Sequence, residues 1–410
     1  MTALRAVRVH AGAETRLLRV LACATVALAP VEGYVSSVHG QLAKVAPALL
    51  IVAWAAVRVR RREMPRPHPV HAVLAAFTVL VLASAAAHAG GPFTAEYTVR
   101  WLPFVAVTVV LIDVAATDVP VRTLLAAAVA GATVAGAGAL HSLVVGGAAR
   151  ATGPLADPND LAFVLVTALP LLAAVLPAEP AARHVLAVTV AAAVLVAGAA
   201  ATFSRGGALA LTAAVGWLAL RRVLSPKVLA RAVVAAVVAA GVTAMLAGPH
   251  LVRSLQEKSF IAGSNVDTRE LRWQAAARML AENPVLGVGP GGFRAEYAAA
   301  SHNAEIAEQT PVAHNMFLEV AAELGLPAFC LFLMLIATAV VASERVLRSA
   351  RDRGPMVAVQ ASLIAVAIGA VFLSEQYYLP LWLLVAVAVA SALRTRREGR
   401  SDDAGAPCDQ

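Results

Sequence analysis

Long apolar runs separated by short polar breaks recur along the whole chain, at about 20–35, 41–57, 70–89, 99–116, 123–145, 160–177, 184–203, 206–220, 228–247, 315–342, 355–373 and 376–393. A bilayer's hydrocarbon layer is about 30 Å thick, and about 20 apolar residues cross it as a helix. The pattern predicts an all-α polytopic membrane protein of twelve transmembrane helices. Glu32 interrupts the first run and the eighth is short; elsewhere charges stand only near the ends. One long hydrophilic interval, 249–312, separates the ninth span from the tenth. The expected organisation is an N-terminal segment over 1–19, a transmembrane domain over 20–393 that includes this loop, and a tail over 394–410. Arg5 to Arg19 followed by the apolar run from Val20 also has the form of a secretory signal, but the continuing spans favour a retained first helix.

Composition agrees with this pattern. The 410 residues are 60% hydrophobic and 14% charged, with a mean hydropathy of +0.75, so the apolar surface requires lipid as solvent. The net charge of +8 does not indicate nucleic acid, because the basic residues are scattered among apolar spans and form no stripe interleaved with stacking aromatics. Of the three cysteines, Cys23 and Cys330 fall within spans and Cys408 in the tail, a pattern of neither disulfides nor a metal cluster.

Arginine placement sets the expected orientation. With the N-terminus inside, the basic groups around Arg16, Arg60, Arg122, Arg183, Arg222, Arg348 and Arg397 all fall on the cytoplasmic side, as the positive-inside bias requires. Both termini are then cytoplasmic, the protein lies in the cytoplasmic (inner) membrane, and the 249–312 loop is external. Arg253, Lys258, Arg269, Arg272, Arg278 and Arg294 break the bias by occupying that loop, where an anionic ligand would account for them.

Within the loop, Asp267 with Glu270 forms a capping pattern, 269–282 contains no helix breaker, and Asn283-Pro284 ends the run. Arg269, Arg272 and Trp273 then share a helix face. Two readings stand: an interfacial helix anchored by Trp273 among lipid headgroups, or an Arg269 guanidinium that grips a diphosphate through paired charge-assisted hydrogen bonds, with Arg272 in support. Gly287-Val-Gly-Pro-Gly-Gly292 mimics a dinucleotide fingerprint, but no strand precedes it and Pro290 interrupts it, so a tight turn returning Phe293 to the membrane is expected. His314-Asn315 opens the tenth span, with Glu319 and Glu323 one and two turns on. Here His314 is either a polar cap or a general base for a hydroxyl, with a carboxylate available to orient it. In Ser204-Arg-Gly-Gly207, Arg205 either snorkels to headgroups or marks a site. Asp157-Pro-Asn-Asp160 reads as the cap of the sixth span.

Ser204-Arg-Gly-Gly207, Thr268-Arg269 with Trp273, Glu282-Asn-Pro-Val-Leu-Gly-Val-Gly289 and His314-Asn-Met-Phe-Leu-Glu319, in this order on a twelve-span chain, resemble the O-antigen ligase and polymerase family. The resemblance implies transfer of a glycan from an undecaprenyl diphosphate carrier to the hydroxyl of an acceptor glycan, lipid or other envelope molecule. It implies no cofactor and no metal. Arg205 and Arg269 would bind the diphosphate and His314 would be the catalytic base, with Arg272, Asn315 and Glu319 as supporting residues. A non-enzymatic transporter or flippase of lipid-linked oligosaccharide is the competing class; it predicts related halves and mid-membrane charges, which the sequence does not display.

Overall fold

The computed structural model describes residues 2–404 except 147, 149, 177–178, 224–240, 242–267, 306–307 and 350–351. Its elements are helices: α1 (Thr2–Leu28), α2 (Glu32–Val38), α3 (Val45–Arg61), α4 (Pro69–Ala87), α5 (Thr94–Thr117), α6 (Val121–Val144), α7 (Pro158–Ala168), α8 (Leu172–Val175), α9 (Ala182–Ala201) and α10 (Arg205–Leu220). After these come α11 (268–282), then α12 (Gly292–Ala300), α13 (Met316–Ser349), α14 (Gly354–Gly369) and α15 (Leu379–Ala404). Among the described residues, nine helical stretches are long and apolar enough to cross a membrane, and α10 and α14 are shorter apolar helices. They match the expected spans in order; the ninth, 228–247, lies outside the described residues. The chain is an all-α polytopic membrane protein.

Helix ends depart from the expected spans where polar sequence continues to favour helix. The backbone is already helical from Thr2, so α1 runs through the segment expected to precede the first span, and α15 continues past Leu393 as far as Ala404. Both extensions are rich in Arg, a good helix former, the first also in Ala, and neither contains proline. In the opposite sense α13 is broken. Gly325 adopts φ 77° and ψ 174°, and Pro327 follows, so a short helix over 316–324 precedes the long one.

Close approach of helices depends on small residues, as it does where lipid removes the hydrophobic drive for association. A Cβ on Gly131 of α6 would stand 2.1 Å from the Ala27 carbonyl oxygen of α1. One on Gly198 of α9 would stand 3.1 Å from the Cα of Gly136 in α6. At the centre, α15 is buried almost all round from Leu381 to Ala390. Its Trp382 meets Trp101 of α5 edge-on at 6.2 Å and Phe332 of α13 at 6.5 Å, while Phe77 of α4 meets Trp101 at 5.2 Å.

The segments expected to be cytoplasmic gather at one end of the bundle. There Arg58, 5% exposed, donates to Asp113 at 2.6 Å and Asp118 at 2.5 Å, and Trp54 donates to Asp113 at 2.7 Å. Arg61 joins Asp118 to Glu14 of α1, Arg221 pairs with Glu344, and Arg394 donates to the carbonyls of Ala115 and Val119. The start of α5, the ends of α6 and α9, the start of α10 and residues 268–315 and 370–378 belong to the opposite end. Replacing Arg58 by alanine would leave two buried carboxylates without their shared cation. Arg58→Ala should cost roughly 3–5 kcal/mol, read as earlier thermal unfolding in detergent. Wild-type stability would show that the network is incidental.

Candidate active site

The opposite end is assembled on the first turns of α13. Asn315 caps that helix, its Oδ1 accepting from the amides of Phe317 and Leu318 at 3.1 Å each. The Met316 amide donates to the carbonyls of Ala370 and Leu373, each at 2.8 Å, which joins the helix start to the segment between α14 and α15. Glu319, 3% exposed, accepts from the Ala313 amide at 2.8 Å, Ser374 Oγ at 2.5 Å and Gln376 Nε2 at 2.7 Å. His314 sits between these anchors in the left-handed region, at φ 50°. A non-glycine residue holds that conformation only where its surroundings over-determine it. Here Glu319 and Asn315 hold the backbone on both sides of it.

Neither glutamate on α13 reaches the imidazole. All of Glu319's hydrogen bonds go elsewhere, and Glu323 takes the Phe293 amide at 3.4 Å. The expectation that a carboxylate on this helix orients His314 is therefore corrected: Glu319 fixes the backbone that carries the ring. Among the described residues the imidazole has no hydrogen-bond partner.

The loop that mimics a dinucleotide fingerprint packs against the same helix. Val288 and Gly289 donate to the carbonyls of Ala322 and Glu323 at 2.9 Å each, and Leu326 donates to that of Pro284 at 2.8 Å. At Gly287 (φ 65°) a Cβ would stand 2.3 Å from the Glu323 backbone, so only glycine admits this approach. Phe293, 1% exposed, then packs with Ala276, Met279, Tyr297 and Ala313. The tight turn is the one expected, but Phe293 is not returned to the main core of the membrane helices: it closes a separate core among α11, α12 and the turn before α13.

Among the basic residues of the loop, Arg253 and Lys258 lie outside the described residues, as does the expected cap Asp267. Arg272, 5% exposed, is neutralised: it grips Glu305 with Nε and Nη2 at 3.1 Å each and Glu308 at 3.0 Å. Arg278 donates to the Ala300 carbonyl at 2.7 Å, and Arg294 lies over the Phe93 ring at 4.3 Å. Arg269 differs, since among the described residues its guanidinium has no hydrogen bond or ion pair and rests only near the Phe372 ring, 6.0 Å away. Trp273 does not present its N–H to headgroups, because Nε1 is buried without a partner, contrary to the interfacial-anchor reading.

Phe372 connects Arg269 to the third expected residue. A Cβ on Gly206 would meet that ring at 3.3 Å, so the start of α10 lies against it. Arg205 is the first residue of α10, is exposed, and likewise has no hydrogen bond or ion pair among the described residues. Ser204 caps the helix by accepting from Gly207 at 3.2 Å. Arg205 thus adds its charge to the positive end of a helix, a setting that favours anions. Asp157 caps α7, as expected, accepting from Asn159 at 2.6 Å.

Electrostatics tie the residues together. Burial first, then the positive charges of Arg272 and Arg269, hold the His314 imidazole down to about 4, with Asp157 and Glu308 opposing. Burial lowers Arg269, and Asp157 offsets that. The structure therefore brings Arg269, His314 and Asp157 within electrostatic range of one another, and the start of α10 at Gly206 meets the Phe372 ring that Arg269 also approaches. No sequence signal marked Asp157 as a neighbour of His314, because the two stand more than 150 positions apart and meet only through tertiary packing. Glu305 and Glu308 were also missed, because no local rule links them to Arg272, more than thirty positions away.

Glu319→Ala should release the 311–315 turn. Faster hydrogen exchange at the Ala313 amide and a loss of roughly 1–3 kcal/mol from the unsatisfied donors are expected; unchanged exchange would remove Glu319 as the anchor.

In sequence comparisons, no curated protein matches the chain. A family model described as O-antigen ligase matches residues 190–333. That segment carries Arg205, Arg269 and His314 together with the loop and helix that position them, and it marks this chain as an O-antigen ligase-like membrane protein.

Proposed function

We propose that this chain is a membrane glycosyltransferase that moves a glycan from an undecaprenyl diphosphate carrier to an acceptor hydroxyl at the outer face of the cytoplasmic membrane, as a ligase or a polymerase. The arginine-rich end and both termini face the cytoplasm. The observation that carries this reading is the charge-partner pattern: Arg272 is neutralised by two glutamates, while among the described residues Arg269 and Arg205 have no ion pair and the His314 imidazole, within the field of Arg269, has no hydrogen bond. The family match at 190–333 supports the same reaction class.

The chemistry follows from these groups. A glycosyl diphosphate departs as an anion, so transfer is favoured by fixed positive charge where the leaving oxygen gains electrons. Arg269 and Arg205 supply it, Arg269 as a planar fork matched to phosphate. His314 removes the proton of the acceptor hydroxyl as its oxygen attacks the anomeric carbon and the bond to diphosphate breaks. One such displacement inverts the anomeric centre, and no metal is required.

Only a neutral imidazole accepts a proton, and before the donor binds His314 is neutral at any pH well above about 4. Diphosphate adds negative charge beside Arg269, which favours the charged imidazolium and raises the basicity of His314 when the donor is bound. The acid limb of kcat/KM, which reports the free enzyme, should therefore fall at lower pH than that of kcat, which reports the complex. Coincident limbs, or an acid limb that survives in His314→Ala, would contradict the assignment.

With purified protein, a lipid diphosphate glycan and an acceptor, His314→Ala should lower kcat by about 10²–10⁴-fold, and chelator should leave the wild-type rate unchanged. Arg269→Lys keeps the charge and loses the fork, so kcat/KM should still fall, by about tenfold or more. Full activity in Arg269→Lys would rule out a fork contact there.

A further inference from the structure

A second concavity lies away from the residues just described. Between the far end of α11, the second half of α12 and the end of α4 is a cavity of about 390 Å³ whose lining includes His88, Arg278, Glu282, Asn283, Glu296 and His302. Its volume falls within the range of small-ligand pockets. Unlike most such pockets, its wall is dominated by hydrogen-bonding groups.

The chemistry of the wall is specific. His88 Nδ1 lies 2.8 Å from the Ser84 carbonyl, which fixes the proton on that nitrogen and leaves Nε2 as an acceptor. Asn283 gives one amide hydrogen to the Met279 carbonyl at 3.3 Å and keeps its other N–H as a donor and its oxygen as an acceptor. Glu282 and Glu296 have no hydrogen bond or ion pair among the described residues, and Arg278 has committed Nε to the Ala300 carbonyl. The wall thus sets two carboxylates, His88 Nε2 and the Asn283 oxygen as acceptors beside the remaining N–H groups of Arg278 and Asn283 and the His302 ring, and its carboxylates outnumber its guanidinium. This set suits a ligand with many hydroxyl donors and no negative charge. The wall is also braced: a Cβ on Gly289 would stand 2.7 Å from that of His88, so the end of α4 rests on the glycine loop.

Position decides which ligand. Arg269 and Glu282 lie on the same helix, and at about 1.5 Å per residue they stand roughly 20 Å apart, the scale of a short oligosaccharide. We infer that this cavity is a subsite for an uncharged, hydroxyl-rich sugar residue of a glycan chain engaged at Arg269 and His314. The inference rests on the transferase reading for its direction. It adds that the enzyme recognises chain beyond the reacting sugar, and that uronic and other acidic sugars are disfavoured at that distance.

The test fills the cavity. Ala299 lines it from the exposed face of α12, so Ala299→Trp blocks the space without entering the core. Turnover of full-length protein in nanodiscs is measured with undecaprenyl diphosphate bearing either a neutral disaccharide or a long neutral oligosaccharide, and with short and long acceptors. KM for the long donor or the long acceptor should rise about tenfold, whichever chain occupies the subsite, while the values for short partners stay at wild type. Glu282→Gln with Glu296→Gln should weaken discrimination against a long uronic-acid chain.

A binding arm separates this inference from the transferase reading. Saturation-transfer NMR with the free neutral oligosaccharide should show contact that Ala299→Trp abolishes. If wild-type protein turns over no donor yet shows that contact, the transferase reading fails and the subsite stands. Unchanged KM for both long partners together with unchanged NMR contact would overturn the subsite, as would an equal loss for short and long partners.

Discussion

An unpaired charge is costly inside a bundle of apolar helices, and this constraint organises the molecule. At the arginine-rich end Arg58, Asp113, Asp118, Arg61 and Glu14 form a closed network joining α1, α3 and α5. At the other end Glu319 is surrounded by donors, and Arg272 is enclosed by Glu305 and Glu308. Such networks add little stability over a well-packed apolar equivalent, but removing one member is expensive, so each holds its segments in one arrangement. Against that background a guanidinium without a partner stands out. Among the described residues Arg269 and Arg205 have no ion pair and the His314 ring has no hydrogen bond.

Glu319 is where the architecture meets the chemistry. Its carboxylate ties the turn before α13 to the segment after α14, and that same segment carries Phe372, the ring against which Arg269 and the start of α10 lie. Three stretches remote in sequence are thereby positioned by one buried side chain and one aromatic ring. The glycine loop performs a parallel task on the other side of α13. Gly287 and Gly325 allow backbone to lie on backbone, and the domain formed by α11 and α12 is seated on the bundle through that contact. A pre-organised site needs this kind of support, because positive charge stabilises a departing diphosphate only if it does not have to move to do so.

The spans and their order were legible in the sequence, because each follows from local rules. Apolar length identifies a membrane helix, Asn283-Pro284 ends α11, and Asp157 caps α7 wherever the rest of the chain goes. The break at Gly325 was not legible: glycine within an apolar span is ordinary, and only the close passage of the Val285 backbone requires its conformation. The same holds for the helical extensions of α1 and α15, whose polar composition resembles that of a tail.

By itself, then, the sequence determined a bundle of membrane helices with arginines at one end and a set of candidate polar residues at the other. Tertiary structure decided which of those residues are free. Arg269 and Arg272 are indistinguishable as letters, three positions apart on one helix, and they differ only because Glu305 and Glu308 fold back onto one and not the other. Glu319 likewise passed from a candidate partner of the imidazole to the anchor of its backbone. Pairing is a contact between distant segments, and the availability of a charge depends on all the groups that surround it, so neither is set by local pattern.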